Sequence, residues 1–394
     1  MSQKFKVKTY NAIAPIGLAE LPDDQYDVSE NESNPDGIIL RSFKLHDEPI
    51  DESVLAIARA GAGVNNVPVD EMTNRGIPVF NAPGANANAV KELVITALLM
   101  ASRNVAGALS YVKSLSGNDE ELARLVEGGK KKFKGSELPS KTLGVIGMGA
   151  IGYRVANTAI DLGMKVVAYD PVMTVSNAWQ VSPKVELVEN VEDLFKRADF
   201  VTVHVPLLDS TRGMISKEKL AIMKPTAILL NFSRGEIADE PAVVAALDNN
   251  QLAKYVTDFP NNTTYAHDKV IALPHLGAST DEAEDNCAVM VAQQLRDFLE
   301  NGNIRNAVNF PRVFLKRGDG IRITIAHRNE PGMLNKITGV LASHSLNVSD
   351  IINQSKNDQA YTIVDLDLKA VDEALVKEFK AIEHVQKVRV FNSR

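Results

Sequence analysis

The sequence contains a single cysteine, Cys287, among 394 residues. That excludes an intrachain disulfide and fits a reducing compartment. Its setting, Asp285-Asn286-Cys287-Ala288-Val289, is helix-like, and the acidic neighbours would raise its pKa. It therefore reads as a buried structural thiol and not as a nucleophile. A basic excess is also missing, since 43 Lys and Arg face 50 Asp and Glu for a net charge of −7. This argues against nucleic acid as a main partner, because neutralising phosphates requires a basic face. It leaves room for a small anionic substrate held by a few local arginines. No apolar run is long enough to cross a membrane; the longest, Val94–Ala101, is interrupted by Thr96. Nothing near Met1 reads as a signal peptide, so a cytoplasmic protein is expected. What is present is ordinary for a soluble globular chain, with 45% apolar and 24% charged residues. The length is too great for one core and implies two or three domains.

From about residue 37 to 275, short apolar segments alternate with helical patterns. Strands are predicted at Gly37–Leu40, Ile77–Asn81, Thr142–Ile146, Lys165–Tyr169, Phe200–Val205, Ala227–Phe232, Tyr255–Phe259 and Val270–Leu273. Several are continuous runs of Val, Ile, Leu and Ala, as expected for strands buried on both faces. Strand–helix alternation implies parallel sheets with right-handed crossovers. Long helices are predicted near Ala89–Ser110 and across Asp281–Asn301. Residues 113–141, rich in Lys, Gly and Ser, read as a surface excursion whose basic run Lys130-Lys131-Lys132 is a solvated loop. Residues 303–320 read as an interdomain linker. Beyond it the order becomes βαββαβ in about 75 residues, a ferredoxin-like unit.

Residues 143–152 read Leu-Gly-Val-Ile-Gly-Met-Gly-Ala-Ile-Gly, so Gly147, Gly149 and Gly152 form G-x-G-x-x-G between a strand and a helix. Gly147 permits the tight turn, Gly149 lets the backbone approach a pyrophosphate, and Gly152 lets helix and strand pack closely. The next strand ends at Asp170, whose carboxylate can accept hydrogen bonds from the adenosine ribose. It would repel a 2′-phosphate, and residues 171–183 carry no Lys or Arg to offset this. The cofactor expected is NAD.

Three further segments place polar residues at strand ends: Ser233-Arg234-Gly235, Thr257-Asp258-Phe259 and Pro274-His275-Leu276-Gly277. In a doubly wound sheet these ends face one crevice. Arg234 has the planar fork that suits a substrate carboxylate. His275 has the ring that titrates near working pH and can serve as general base. With these pieces, and with Arg41-Ser42, Arg59–Asn66, Asn81–Asn86 and His204-Val205-Pro206, the chain resembles the D-isomer-specific 2-hydroxyacid dehydrogenases. Within that family it resembles the branch acting on 3-phospho-D-glycerate.

The resemblance implies two Rossmann-like doubly wound domains, the NAD domain (93–277) inserted in a substrate domain (1–92 and 278–310). It implies NAD contacts from Gly147, Gly149, Ala150, Ile151, Gly152, Asp170, His204, Pro206, Ser233 and Asp258. It also implies substrate contacts from Arg41, Ser42, Arg59, Gly63 and Val64, with Arg41 and Arg59 toward a distal phosphate. One position departs from the pattern. The family carries a glutamate that pairs with the histidine, and here Asn262 takes that place in Pro260-Asn261-Asn262-Thr263, able to orient a ring but not to neutralise it. The C-terminal unit, 318–394, resembles the ACT domain, a small-molecule sensor. By that resemblance His327, Asn329 and Asn347 would bind L-serine across a dimer of such domains, in a homodimer or homotetramer. The function implied is NAD-dependent oxidation of 3-phospho-D-glycerate, the first step toward L-serine. The alternatives are a dehydrogenase of an unphosphorylated D-2-hydroxy acid and a non-catalytic NADH-sensing scaffold.

Overall fold

A computed structural model describes residues 4–393. They form two compact units, residues 87–280 and residues 4–86 together with 281–393.

In the first unit, seven strands lie parallel: β6 (Thr142–Ile146), β7 (Lys165–Tyr169), β8 (Glu186–Leu187), β9 (Phe200–Val203), β10 (Ile228–Asn231), β11 (Lys254–Thr257) and β12 (Val270–Ala272), counted after five strands in the N-terminal segment. Their order is β12-β11-β10-β9-β6-β7-β8. The chain therefore moves outward from β6 in one direction, then returns to the other side of β6 through β9. β9 and β10 are buried at every residue. This is the consequence of helices on both faces, and it is why these strands read as unbroken apolar runs. The predicted strand ends ran one or two residues long, because Val205, Phe232 and Phe259 already belong to the loops that leave the sheet.

Two expectations about this unit need correction. The helix predicted at Ala89–Ser110 is two helices, Ala87–Ser102 and Val105–Ser114, bent by 65° at the break. Asn104 sits there in the left-handed region (φ +54°). The Lys254 ammonium donates to the Ala101 carbonyl (2.8 Å) and to the Asn104 side chain, holding the C-terminal end of the first helix. The segment 113–141 is not simply a loop. Asp119–Gly129 is a helix opened by a reciprocal capping box between Asn118 and Glu121. The basic run does lie on an exposed turn that follows it, where Phe133 packs on Tyr111.

The second unit holds two sheets. β1 (Phe5–Tyr10), β2 (Tyr26–Ser29), β3 (Gly37–Leu40), β4 (Ala56–Arg59) and β5 (Val79–Phe80) are parallel in the order β2-β1-β3-β4-β5. The 21-residue helix Asp281–Asn301 packs on this sheet through Cys287, Ala288, Val291, Leu295 and Phe298. The C-terminal sheet is antiparallel: β13 (Ile321–Arg328), β14 (Val348–Lys356), β15 (Gln359–Leu366) and β16 (Val385–Phe391), in the order β14-β15-β13-β16. Helices Met333–Ser343 and Glu373–Ala381 cover one face with Ile337, Leu341, Leu375 and Phe379, giving the expected ferredoxin-like unit.

The other face of that sheet is not free. Ala326, Tyr361 and Ile363 join the same core as Val7 and Phe298. Residues 303–320, read from sequence as a linker, are therefore packed: Ile304, Phe310 and Val313 are buried, and Ile304 and Val313 exchange two backbone hydrogen bonds of 2.8 Å. Buried arginines tie the pieces together. Arg389 donates to the last carbonyls of the long helix, Phe298 and Leu299 (2.9 Å each). Arg322 forms a bidentate pair with Asp365 (2.6 and 2.7 Å) and donates to the carbonyls of Asn301, Leu315 and Lys316. Aliphatic periodicity carried little sign of this contact, because buried arginines share the face with the apolar residues.

Candidate active site

The glycine turn follows β6, and His204 follows β9, the neighbour on the opposite side from β7. This is the point where the strand order reverses, and such sheets bind ligands there. Gly147 adopts φ +90° and stands so close to the following strand end that a Cβ would lie 2.7 Å from the His204 carbonyl oxygen. A Cβ on Gly152 would lie 1.8 Å from the Gly147 carbonyl oxygen. Gly149 is the opposite case, with nothing within 4 Å of its would-be Cβ. Two glycines are thus required by packing, and one leaves open the approach a pyrophosphate needs. Ala150 and Ile151, half-buried, lead into the helix Gly152–Asp161. Asp170 closes the turn: its Oδ2 accepts from Met148 N (2.7 Å) and its Oδ1 from Val172 N (2.9 Å). Each oxygen retains a lone pair for a ribose hydroxyl. The turn and its acid fit a dinucleotide.

His204 shares a hydrogen bond between its Nε2 and Thr202 Oγ1 (3.0 Å), while its Nδ1 is buried with no hydrogen-bond partner. Burial drops its pKa to about 3, so the ring is neutral. Pro206 lies exposed just beyond.

The Ser233-Arg234 loop is fixed from below. Asn231, fully buried at the end of β10, donates to the Arg234 carbonyl (2.8 Å) and accepts from Ser233 N (3.2 Å). Ser233 Oγ donates to the Val203 carbonyl (2.7 Å). Asn231 was not singled out in the sequence, although a buried amide ending an apolar strand was the available signal. The Arg234 guanidinium stands 5.7 Å from the Phe259 ring centre, and the His275 ring stands 4.6 Å from it. Phe259 thereby gathers both candidate catalytic side chains, and His275 itself is exposed.

Asp258 is 2% exposed, and its Oδ1 has no hydrogen-bond partner. Burial pushes its pKa up to about 6, against opposing pulls from its own N–H, the Gly277 N–H and the Arg234 charge. A buried acceptor left unpaired marks a place where a ligand donor is wanted. Asn262 is exposed, and it is Asn261 that orders the turn by accepting from Thr263 N and Thr264 N. This arrangement lends no support to Asn262 as the residue that orients His275. A second carboxyl missed in the sequence is Glu240. It is buried, its Oε1 is unpartnered, and its pKa is raised by burial and by Glu236. It lines a pocket of about 430 Å³ with Gly235, Phe259, Pro260 and Asn261. Among the described residues no cluster of His, Cys, Asp or Glu is arranged to hold a metal ion.

In the other unit, Arg41 follows β3 and its guanidinium pairs with Glu284 at 2.6 Å. Arg59, at the end of β4, donates from Nε to the Arg41 carbonyl (3.0 Å), and Asn66 donates to the same oxygen (3.1 Å). Its guanidinium lies across Gly61, where a Cβ would stand 1.7 Å from Nη1. Arg59 thus braces the loop that carries Arg41. Ser42 is exposed, and Gly63 and Val64 are half-buried in the following loop. Cys287 is buried as expected, but its raised pKa comes first from burial, and Arg59 and Arg41 oppose it more than Glu284 adds.

At the C-terminal unit His327 is held within the sheet. It is 2% exposed, its Nδ1 bonds the Arg328 carbonyl (2.7 Å) and its Nε2 bonds Thr362 Oγ1 (3.0 Å). Both nitrogens are engaged inside the sheet, so the ring is a strut and not a free ligand contact. Asn329 is exposed and donates to the Asn357 carbonyl (3.1 Å), and Asn347 is exposed.

Comparison with known proteins bears on the family. Residues 95–277 match the family described as D-isomer specific 2-hydroxyacid dehydrogenase, NAD binding domain. Residues 323–390 match the AHAS small subunit-like ACT domain. The D-3-phosphoglycerate dehydrogenase of Escherichia coli K12 is 34% identical over 353 residues, covering 86% of this chain and 82% of that one. That of Methanocaldococcus jannaschii is 39% identical over 268 residues, 66% of this chain. This match spans only about half of the Methanocaldococcus protein, 49%. The solved structure of the NAD+-bound 3-phosphoglycerate dehydrogenase of Entamoeba histolytica superposes with a TM-score of 0.60 and 27% identity, over 79% of this chain and all of that one.

Proposed function

Because the chain belongs to the D-isomer-specific 2-hydroxyacid dehydrogenases, we propose that it oxidises 3-phospho-D-glycerate to 3-phosphohydroxypyruvate in the cytoplasm, as a homodimer or homotetramer. The observation that carries the reading is the gathering of Arg234 and His275 on Phe259, beside the unpaired acceptor of Asp258.

Gly147, Gly149, Ala150, Ile151, Gly152, Asp170, His204, Pro206 and Ser233 hold NAD in this reading, and Asp258 accepts from its carboxamide. NAD, when bound, accepts the hydride that leaves C2. Arg234 clamps the substrate carboxylate and polarises the C2 oxygen. His275 takes the hydroxyl proton. Arg41 receives the distal phosphate, with Arg59, Ser42, Gly63 and Val64 shaping its loop. The C-terminal unit takes a small amino acid, for which L-serine is the candidate. Asn329 and Asn347 are exposed and able both to donate and to accept, while His327 orders the strand behind them.

The test is steady-state turnover of 3-phospho-D-glycerate against glycerate and lactate, repeated with Arg41→Ala. The substitution should weaken the phosphorylated substrate about tenfold or more relative to the others, as expected for a charge-assisted hydrogen bond. Equal losses on all substrates would remove Arg41 from the phosphate role. Inhibition by millimolar L-serine, abolished by Asn347→Ala, tests the effector assignment.

A further inference from the structure

The Arg41 guanidinium is already occupied. Glu284 Oε1 lies 2.6 Å from its Nη2, and both side chains are only about one third exposed (35% and 39%). The two partners are held differently from their surroundings. The Arg41 main chain is pinned, since Arg59 and Asn66 both donate to its carbonyl. Glu284 stands in the first turn of the helix Asp281–Asn301, where a negative charge is favoured by the helix dipole. That turn cannot shift easily. Cys287 and Ala288 beneath it are buried, and the neighbouring Gly17 is so close that a Cβ there would lie 2.4 Å from Ala288 Cβ. Two fixed backbones therefore present one guanidinium and one carboxylate that holds it.

We infer that Glu284 is an internal competitor for the anion site at Arg41, a positioning residue that a distal phosphate must displace before Arg41 can bind it. This rests on the assignment of Arg41 to the distal phosphate. A carboxylate and a phosphate ask for the same planar donor fork. A phosphate monoester, with a charge of −1.5 to −2 and three acceptor oxygens, outcompetes a single carboxylate. A substrate with no distal anion leaves the pair intact and gains nothing from Arg41. The competitor lowers affinity for every distal anion equally, so its effect falls on binding and not on the chemical step. It also returns Arg41 to a satisfied state when product leaves.

The experiment uses the full-length enzyme with Glu284→Gln, Arg41→Gln and the double variant. The readouts are KM and kcat for 3-phospho-D-glycerate and for D-glycerate, together with inhibition by inorganic phosphate. A half-exposed ion pair is worth up to about 1 kcal/mol, which is about a two- to fivefold change. Glu284→Gln should lower the KM for 3-phospho-D-glycerate and the inhibition constant for phosphate by that factor, with kcat and the KM for D-glycerate unmoved. The gain should vanish in the Arg41→Gln background. An unchanged or raised KM for the phosphorylated substrate in Glu284→Gln would overturn the inference and leave Glu284 as a support for Arg41. If Arg41→Gln itself spares the phosphorylated substrate, the assignment of Arg41 fails first, and that outcome is read separately.

Discussion

The ionisable groups buried beside the strand-end loops of the parallel sheet differ in kind from the arginines buried under the C-terminal sheet. Asp258 Oδ1, His204 Nδ1 and Glu240 Oε1 are buried without a hydrogen-bond partner. Arg322, with no exposed side-chain surface, has a bidentate carboxylate and three carbonyls. Arg389 caps two helical carbonyls and stacks on Phe298 and Phe391. An unpaired buried carboxylate oxygen costs free energy, which a ligand donor would recover. A saturated buried charge needs no ligand and holds structure. Lack of a partner alone does not separate site from scaffold, since Gln359 and Gln386 on the C-terminal strands also leave buried side-chain atoms unpaired; the contrast lies in the charged groups, with Asp258 and Glu240 left unsatisfied and Arg322 and Arg389 saturated.

The comparison can be broken at the scaffold first. Arg322→Ala leaves Asp365 buried beside no cation, and losing one partner of a buried pair costs about 3–5 kcal/mol. Urea unfolding should register that loss. Replacing both partners with apolar residues of similar volume should recover most of it, and a double variant as unstable as the single one would refute the pairing argument.

The second break is at the site. Arg234→Ala should lower turnover at least about a hundredfold, because substrate orientation is lost, while NADH binding followed by fluorescence stays nearly unchanged. A parallel loss of NADH affinity would place Arg234 among the structural arginines, beside Arg322.

How much of this was legible in the sequence follows the same division. Gly147, Gly149, Gly152 and Asp170 were readable because the turn crowds two positions so that only glycine fits, leaves a third open for a ligand, and needs an acid at a fixed strand end. Arg234, Asp258 and His275 stood at strand ends, and strand ends were set by apolar runs. The packing of the C-terminal sheet was not legible. Arg322 and Arg389 lie on strands that alternate as if one face met water, and only the fold reveals that this face is buried, by apolar packing of Ala326, Tyr361 and Ile363 and by hydrogen bonds to residues 298–316. The contact of His327 with Thr362 was not legible either, since Thr362 lies on a neighbouring strand far along the chain. The helix Asp119–Gly129 was missed although Asn118-x-x-Glu121 announced it, because lysines and glycines after it outweighed the cap.

The smallest expected effect sharpens the comparison most, because it asks whether the unpaired acceptor is a cost to folding. Asp258 titrates near 3.8 when unfolded and near 6 when folded, raised chiefly by burial. A raised acid binds its proton more tightly in the folded state. Its contribution to stability is therefore fully present below pH 3.8 and is lost as pH rises through about 6. The shift corresponds to at most about 3 kcal/mol, with the opposing pulls of Arg234 and the Gly277 N–H already counted in it. Asp258→Asn carries no such proton, so it should be more stable than the parent at pH 8 and gain little or nothing at pH 4. The same variant presents an amide in place of one acceptor, so NADH should bind it more weakly. Thermal unfolding at the two pH values, with and without NADH, separates these terms. A stability difference independent of pH would show that Asp258 keeps its charge at no cost. The absence of a partner for Oδ1 would then say nothing about a ligand.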